Sequence, residues 1–424
     1  MKKKAAKLLM MALISTIVSA KEVTLNEAIN MAFEKNYQVK KEEKNYENVK
    51  LQVKEAYKSG LPKLVYSGIF TKYQEYTDSK GTHNSMYSNS IALQQPIFVG
   101  GQVLTGIKIA GTSEEMGRYS LNETKNEVRL DIIKSYTDIL KLQKSLEVTE
   151  DSLKELRRNY EELKARYELK MITKNTLLDV EYSLIDLESS ILEMKNGIEI
   201  SKLDLKNKIG FDQSEDIDLK AIDLYEEMSG KINLDKDIEF ARENNLNAKI
   251  IKLSTRLKEA SEVVDRANLL PQVNLQLSYG KDDEKLDNSI SVSDWEWKGS
   301  VVVSYDIWYW GKNMNKYQRA KNETVKAKED ERNNLNNIEL GVRSSYLEII
   351  RLEKTISAKE KALESAKENY EIEKERFENG LVTSNDFLAV ENKYRKAQID
   401  YSNIKLDYYV SYEKYVDSLG RDTK

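Results

Sequence analysis

The chain of 424 residues contains no cysteine, three prolines and one histidine. Without cysteine there is no disulfide framework, no thiolate zinc site and no N-terminal cysteine for a lipid to modify. With His83 alone, neither a His-pair metal site nor a nucleophile–base arrangement has its parts. There is no glycine-rich phosphate loop, because Gly100-Gly101 closes a strand pattern and opens a helical one. The chain is therefore not read as an enzyme, and neither a metal nor any other cofactor is expected. Beyond the N-terminus no stretch approaches the roughly 18 apolar residues of a membrane-spanning helix. What is abundant is charge, at 33% of residues, and Tyr, at 25 residues. High charge with so little proline fits long solvated helices rather than a thick globular core.

Residues Met1–Ala20 read as a cleaved secretory signal. Lys2, Lys3, Lys4 and Lys7 form its basic region, Leu8–Val18 its short apolar core, and Val18-Ser19-Ala20 its small-residue cleavage site. Losing four lysines takes the formal charge from −4 to −8, and an acidic chain argues against a nucleic-acid partner.

The remainder repeats itself. Arg166-Tyr167 followed by Met171-Ile172-Thr173 returns 210 residues on as Arg376-Phe377 followed by Leu381-Val382-Thr383. Ser135-Tyr136 returns as Ser345-Tyr346, and Leu61-Pro62 as Leu270-Pro271. Solenoid units run about 20 to 50 residues, so a period this long is a duplicated half-domain. The first repeat is assigned to 21–210, with a helix from Val23 to Gly60, a strand hairpin over 63–99 and a long helix hairpin over 100–210. The acidic segment 211–233 links it to a second repeat, 234–424, with a helix to Leu269, a strand hairpin over 272–309 and a helix hairpin over 311–420. Polar loops are expected at Thr77–Tyr87, which would hold His83, and at Lys281–Asp294. Helix breaks are expected at Met171–Asn175 and Leu381–Asn385. A helix from Gly101 to Lys170 would be on the order of 100 Å long. Leu146, Leu153, Tyr160 and Tyr167 recur every seven residues with Leu156 and Leu163 interleaved, a coiled-coil seam.

The strand segments alternate. Val273, Leu275, Leu277 and Tyr279 oppose Gln272, Asn274, Gln276 and Ser278; Val301, Val303, Tyr305, Ile307 and Tyr309 oppose Ser300, Ser304 and Asp306. Ile91, Leu93 and Ile97 oppose Ser90, Ala92 and Gln94, whereas Tyr66 and Phe70 face opposite to Val65 and Ile69, so the first strand is less clean. Strands apolar on one side and polar on the other match a membrane β-barrel with a wet interior. Trp295, Trp297, Trp308, Tyr309 and Trp310 cluster at strand ends as an interfacial aromatic girdle would. Four strands cannot close, since membrane barrels need about eight, and an open edge in lipid leaves backbone groups unsatisfied. The chain is expected to share its barrel with copies of itself: three chains would give about twelve strands and a channel, two a barrel filled by side chains. The expected fold is thus an α+β membrane protein, a shared trimeric 12-stranded β-barrel with four strands per chain, continued by a long periplasmic α-helical coiled-coil barrel and internally duplicated.

These features resemble the TolC-like outer-membrane efflux protein family over essentially the whole mature chain. The marks are the duplicated layout, Leu61-Pro62 and Leu270-Pro271 entering each first strand, the strand exit Gln95-Pro96-Ile97-Phe98-Val99-Gly100-Gly101, and the segment Arg376-Phe377-Glu378-Asn379-Gly380-Leu381-Val382-Thr383-Ser384-Asn385-Asp386. The resemblance implies a homotrimer in outer-membrane lipid that extends into the periplasm. It would be a passive conduit for small molecules or polypeptides in tripartite efflux or type I secretion, docked to a periplasmic adaptor (membrane fusion protein) and an inner-membrane RND or ABC transporter. It also implies adaptor-contacting tips at Met171, Ile172 and Thr173 and at Gly380, Leu381, Val382 and Thr383, and an aperture carboxylate at Asp386, with Asp179 the weaker candidate. Asp386 near a helix start is equally readable as a cap. Lys170 stands where the family has glycine, so that turn is expected to be less tight or its adaptor groove altered; Val382 and Ala389 stand where some members carry a basic latch and a second aperture acid. A trimeric coiled-coil adhesin or stalk is the competing reading, disfavoured because a stalk anchored once needs one strand segment. A periplasmic scaffold without a membrane part would be soluble without detergent.

Overall fold

A computed structural model describes residues 21–78, 81–222 and 229–421. The expected signal at Met1–Ala20 lies outside the described residues. The first repeat holds β1 (Lys21–Val23), α1 (Leu25–Lys35), α2 (Tyr37–Lys58), β2 (Lys63–Asp78), β3 (Gly81–Phe98), α3 (Gln102–Glu168) and α4 (Lys174–Ile209). A short strand, β4 (Ile217–Leu219), leads to the second repeat: α5 (Leu234–Asn244), α6 (Leu246–Ala267), β5 (Gln272–Asp283), α7 (Leu286–Ile290), β6 (Glu296–Ser304), α8 (Lys312–Glu378) and α9 (Ser384–Ser418). The chain divides into two compact units. Among the described residues, a sheet unit comprises Glu43–Leu121 and Leu246–Asn336, and a helical unit comprises 21–42, Asn122–Asn245 and 337–421.

In the sheet unit the two hairpins lie side by side in one antiparallel sheet ordered β2-β3-β5-β6. Its register sorts the side chains. Tyr66, Ile91, Tyr279 and Trp297 are direct neighbours across all four strands, and Leu64, Leu93 and Leu277 form the row beside them. The alternate rows place Ser67 beside Ser90, Gly280 and Glu296, and Lys63 beside Gln94, Gln276 and Ser300. The first strand is cleaner than its sequence suggests, because Leu64, Tyr66 and Phe70 all belong to the apolar face; Val65 and Ile69 are the exceptions, opposite Ala92 and Ser88.

Three strand boundaries differ from expectation. Thr77–Tyr87 is not a loop: Tyr76 pairs with His83 and Asp78 with Gly81, so His83 lies in a strand. Polar residues pair here because the backbone ladder has a partner, whatever their propensity. Second, β6 stops at Ser304 rather than Tyr309, for Ser304 pairs with Gln272 and the preceding Pro271 has no N–H with which to continue the ladder. Third, the loop expected at Lys281–Asp294 contributes two residues of β5 beyond Lys281 and folds α7 over the sheet. Buried Asn89 fixes that fold: its amide donates to Ser289 Oγ at 2.7 Å while its oxygen accepts from the Tyr66 hydroxyl at 2.7 Å. Trp295 Nε1 donates to the Ser289 carbonyl at 3.1 Å, so Trp295 is tied to this loop.

In the helical unit each expected entry helix is broken once, at Asn36 and at Asn245, where ψ is 134° in both. The Asn36 amide donates to the Lys208 carbonyl and the Asn245 amide to the Ser418 carbonyl, each at 2.9 Å. Both acceptors sit in the last turn of a return helix, so one asparagine redirects the chain and satisfies an orphan carbonyl. Two positions beyond these acceptors stand Gly210 and Gly420, with φ of 62° and 71°. A Cβ on Gly210 would stand 2.5 Å from the Lys35 Cβ, and one on Gly420 2.6 Å from the Asn244 carbonyl oxygen. Close approach and left-handed backbone together require glycine there.

Around this knot in the first repeat pack Val23, Ala28, Ala32, Ile132, Tyr136, Leu205 and Ile209. β1 and β4 pair in parallel. The fully buried Tyr136 hydroxyl lies 2.8 Å from the Val23 carbonyl and 2.7 Å from that of Lys220, and burial raises its pKa. The second repeat builds its own cluster from Ile238, Val342, Ile349, Leu352, Tyr408, Tyr415 and Leu419. There the Tyr415 hydroxyl donates to Asp237 at 2.7 Å, and Arg421 pairs with the same carboxylate at 2.5 Å.

Candidate functional site

Two surfaces carry the functional argument, one in each unit. In the sheet unit the apolar rows are largely exposed, with the loop of α7 and Trp295 packed only at their Tyr279 end. Leu64 is 70% exposed, Val301 65% and Trp297 76%, although Trp297 stacks on Tyr279 with centroids 4.8 Å apart. An apolar patch of this extent marks contact with a membrane or another protein. β2 and β6 are the sheet's edges, each with one side unpaired among the described residues. Tyr305–Trp310 leaves the sheet as an exposed segment: Trp308 and Trp310 meet edge-on at 5.9 Å, and Lys312 Nζ lies 2.6 Å from the Tyr309 hydroxyl. Trp310 holds φ of 51°, which costs a non-glycine residue about 1–2 kcal/mol. No helix among the described residues is long and apolar enough to cross a membrane.

In the helical unit the two helix hairpins turn at tips that share one core. Leu156, Leu163, Val180, Phe377, Phe387 and Leu388 are buried together, and the Phe377 and Phe387 rings stack at 4.6 Å. Leu156 and Leu163, read as the interleaved half of the heptad seam, are its buried members, whereas Tyr160 is half-buried and Tyr167 exposed. The tip residues then divide by exposure. Met171 and Leu381 project, 68% and 69% exposed, while Ile172 and Val382 pack partly onto the shared core. Thr173 and Thr383 are N-caps, accepting from the amides of Thr176 and Asp386.

The turn at Lys170 is as tight as that at Gly380, so a looser turn is not what the substitution produces. Lys170 adopts φ of 59°, and the bonds Met171 N–H to Arg166 carbonyl and Lys170 N–H to Tyr167 carbonyl, both 2.9 Å, repeat as Leu381 to Arg376 at 2.9 Å and Gly380 to Phe377 at 3.0 Å. Main-chain bonding and the shared core hold lysine where glycine would be easier.

Asp386 and Asp179 have different surroundings. Asp386 is exposed in the first turn of α9, where its backbone N–H donates to Thr383 Oγ1 and its carboxylate accepts from the same hydroxyl at 2.7 Å. Asp386 is thus not the cap itself but an acidic first-turn residue bonded to the N-cap Thr383. Asp179 is half-buried and accepts from Ser384 at 3.1 Å, joining the first hairpin to the second. Sequence reading missed the stronger tie between the tips: Arg166 Nη2 donates to the Glu378 carbonyl at 3.0 Å, capping the end of α8. Its signal was the arginine repeated at 166 and 376.

Farther along the hairpins, buried Arg129 and Glu413 pair at 2.6 Å. One turn on, burial raises the carboxyl pKa of Asp417, with the Arg129 charge and the Asn126 side chain opposing and Glu127 and Glu413 reinforcing the rise.

The family model described as outer membrane efflux protein matches residues 28–210 and 238–421, one span in each repeat. No curated protein matches the sequence significantly. Among solved structures, the CmeC outer membrane channel of Campylobacter jejuni superposes with a TM-score of 0.82 at 16% identity, covering 93% of this chain and 85% of that one. The outer membrane protein VceC of Vibrio cholerae gives 0.80 at 15% identity, with 93% and 96% covered. The MtrE outer membrane channel of Neisseria gonorrhoeae gives 0.74 at 16%, with 93% and 88% covered. At these identities the superpositions speak for the fold.

Proposed function

Because the chain belongs to the outer membrane efflux protein family, we propose that three copies close one barrel and one helical duct, forming a passive conduit from the periplasm to the outside. The observation that carries this is the four-stranded sheet: one face apolar and largely exposed, the other polar, both edges unpaired among the described residues. In lipid each unsatisfied backbone group on such an edge costs several kcal/mol, and edges vanish only when a barrel closes. Four strands are half of what the smallest barrels need; three copies supply about twelve. Strand faces bearing Gln94, Gln276 and Ser300 then line a wet lumen.

The duct has no chemistry of its own, and its driving force is that of an inner-membrane RND or ABC transporter reached through a periplasmic adaptor. Met171 and Leu381 are the exposed apolar knobs such an adaptor would grip, with Ile172, Val382, Thr173 and Thr383 shaping the turns beneath them. Asp386, exposed beside its cap, contributes negative charge at the aperture; Asp179, engaged by Ser384, positions the tips. The test is single-channel current from the purified protein in a planar bilayer. The expected result is a small, cation-favouring conductance, and Asp386→Asn lowers the cation preference. Anion preference in the unaltered protein removes Asp386 from the aperture. Absence of any conductance from membrane-inserted protein removes the conduit.

A further inference from the structure

The repeat keeps a constant offset of 210 through both helix hairpins, since α3 and α8 cover 102–168 and 312–378 and the return helices end before Gly210 and Gly420. Every contact between the first and second hairpin within one chain therefore names an equivalent contact between a second hairpin and a first. In a ring of alternating hairpins that equivalent lies between one chain and the next.

Most of the within-chain ties do not survive this translation. Lys374–Glu155, at 2.8 Å, becomes Lys164 with Ser365; Ser384–Asp179 becomes Lys174 with Ala389; the buried Arg129–Glu413 pair becomes Glu339 with Leu203. One tie survives with both partners intact. Arg166 donating to the Glu378 carbonyl becomes Arg376 donating to the Glu168 carbonyl. The atoms are ready for it. Glu168 ends α3, and its carbonyl accepts no hydrogen bond among the described residues. Arg376 is half exposed and among the described residues pairs within its own helix, with Glu373 at 2.6 Å. A helix C-terminus carries partial negative charge and orphan carbonyls, so a guanidinium from a neighbouring hairpin is a fitting cap.

We propose that Arg376 caps the Glu168 carbonyl of the adjacent copy, so that three clasps within chains and three between chains alternate around the tips. The between-chain seam then lacks the Ser384–Asp179 and Lys374–Glu155 bonds that reinforce the within-chain seam, and it is the one that parts when the tips open. This rests on the trimeric reading above.

The absence of native cysteine makes the test clean. Glu168→Cys with Arg376→Cys, treated with a short bis-maleimide in the full detergent-solubilised assembly, yields covalent dimers and trimers on a denaturing gel. Arg166→Cys with Glu378→Cys, treated alike, stays at the mass of one chain. Monomer-only product from the first pair in an assembly whose native mass is three chains overturns the clasp and leaves the trimer standing; a native mass of one chain removes both. In the bilayer, Arg376→Ala raises the conductance severalfold and Arg166→Ala changes it less. The reverse order contradicts a weaker seam between chains.

Discussion

The two repeats agree where the chain is knotted and differ where it turns. At the knots, Asn36 with Gly210 and Asn245 with Gly420 use the same residues, the same ψ and the same bond to a last-turn carbonyl. At the tips the backbone is again the same, but one side chain is Lys170 and the other is glycine. Duplication thus preserved what packing dictates and let charge diverge at an exposed point. Close approach of two backbones leaves one solution, whereas a projecting turn tolerates several.

The largest effect expected from breaking this likeness is at the knots. Gly210→Ala and Gly420→Ala each combine a left-handed penalty with overpacking and should each cost about 2–5 kcal/mol. Thermal unfolding of the two variants should show similar losses; a neutral result at either position would mean the two knots are not equivalent. Next comes the paired tyrosine. Tyr136→Phe removes the buried hydroxyl that the Val23 and Lys220 carbonyls share and should cost about 1–3 kcal/mol, whereas Tyr346→Phe, at a half-buried position, should cost less in the same assay.

The tips give a reciprocal test. Lys170→Gly should stabilise by about 1 kcal/mol and Gly380→Lys should destabilise by a similar amount, both read as shifts in denaturation midpoint. The smallest effect concerns pH. The second repeat has Asp417 where the first has Asn207. Burial raises the Asp417 pKa, so the folded state binds more protons than the unfolded one just above the ordinary carboxylate range. The contribution of Asp417 to stability therefore declines as pH rises through that window. Asp417→Asn should stabilise the protein at neutral pH and flatten the dependence just above the ordinary carboxylate range; an unchanged slope would assign the dependence to another group.

Elements whose signals are local were legible in the chain. Leu61-Pro62 and Leu270-Pro271 announced strands that begin at Lys63 and Gln272, and the helix hairpins ended at the expected turns. What escaped depends on distant partners. Nothing local distinguishes Asn36 or Asn245 from other polar helix residues; the break exists because carbonyls 172 and 173 residues away await a donor. The length of β3 depends on β2, and the end of β6 depends on a proline just before β5. Among site residues, the exposure of Met171 and Leu381 followed from their place in the turns. The split between an Asp386 bonded to its N-cap and a bridging Asp179 required the second hairpin to be beside the first.

The most direct test of the account is the native mass of the detergent-solubilised protein, corrected for bound detergent. The open edges of the sheet predict an assembly of three chains that resists dissociation without denaturant. A monomer that stays in solution without detergent would contradict the shared barrel.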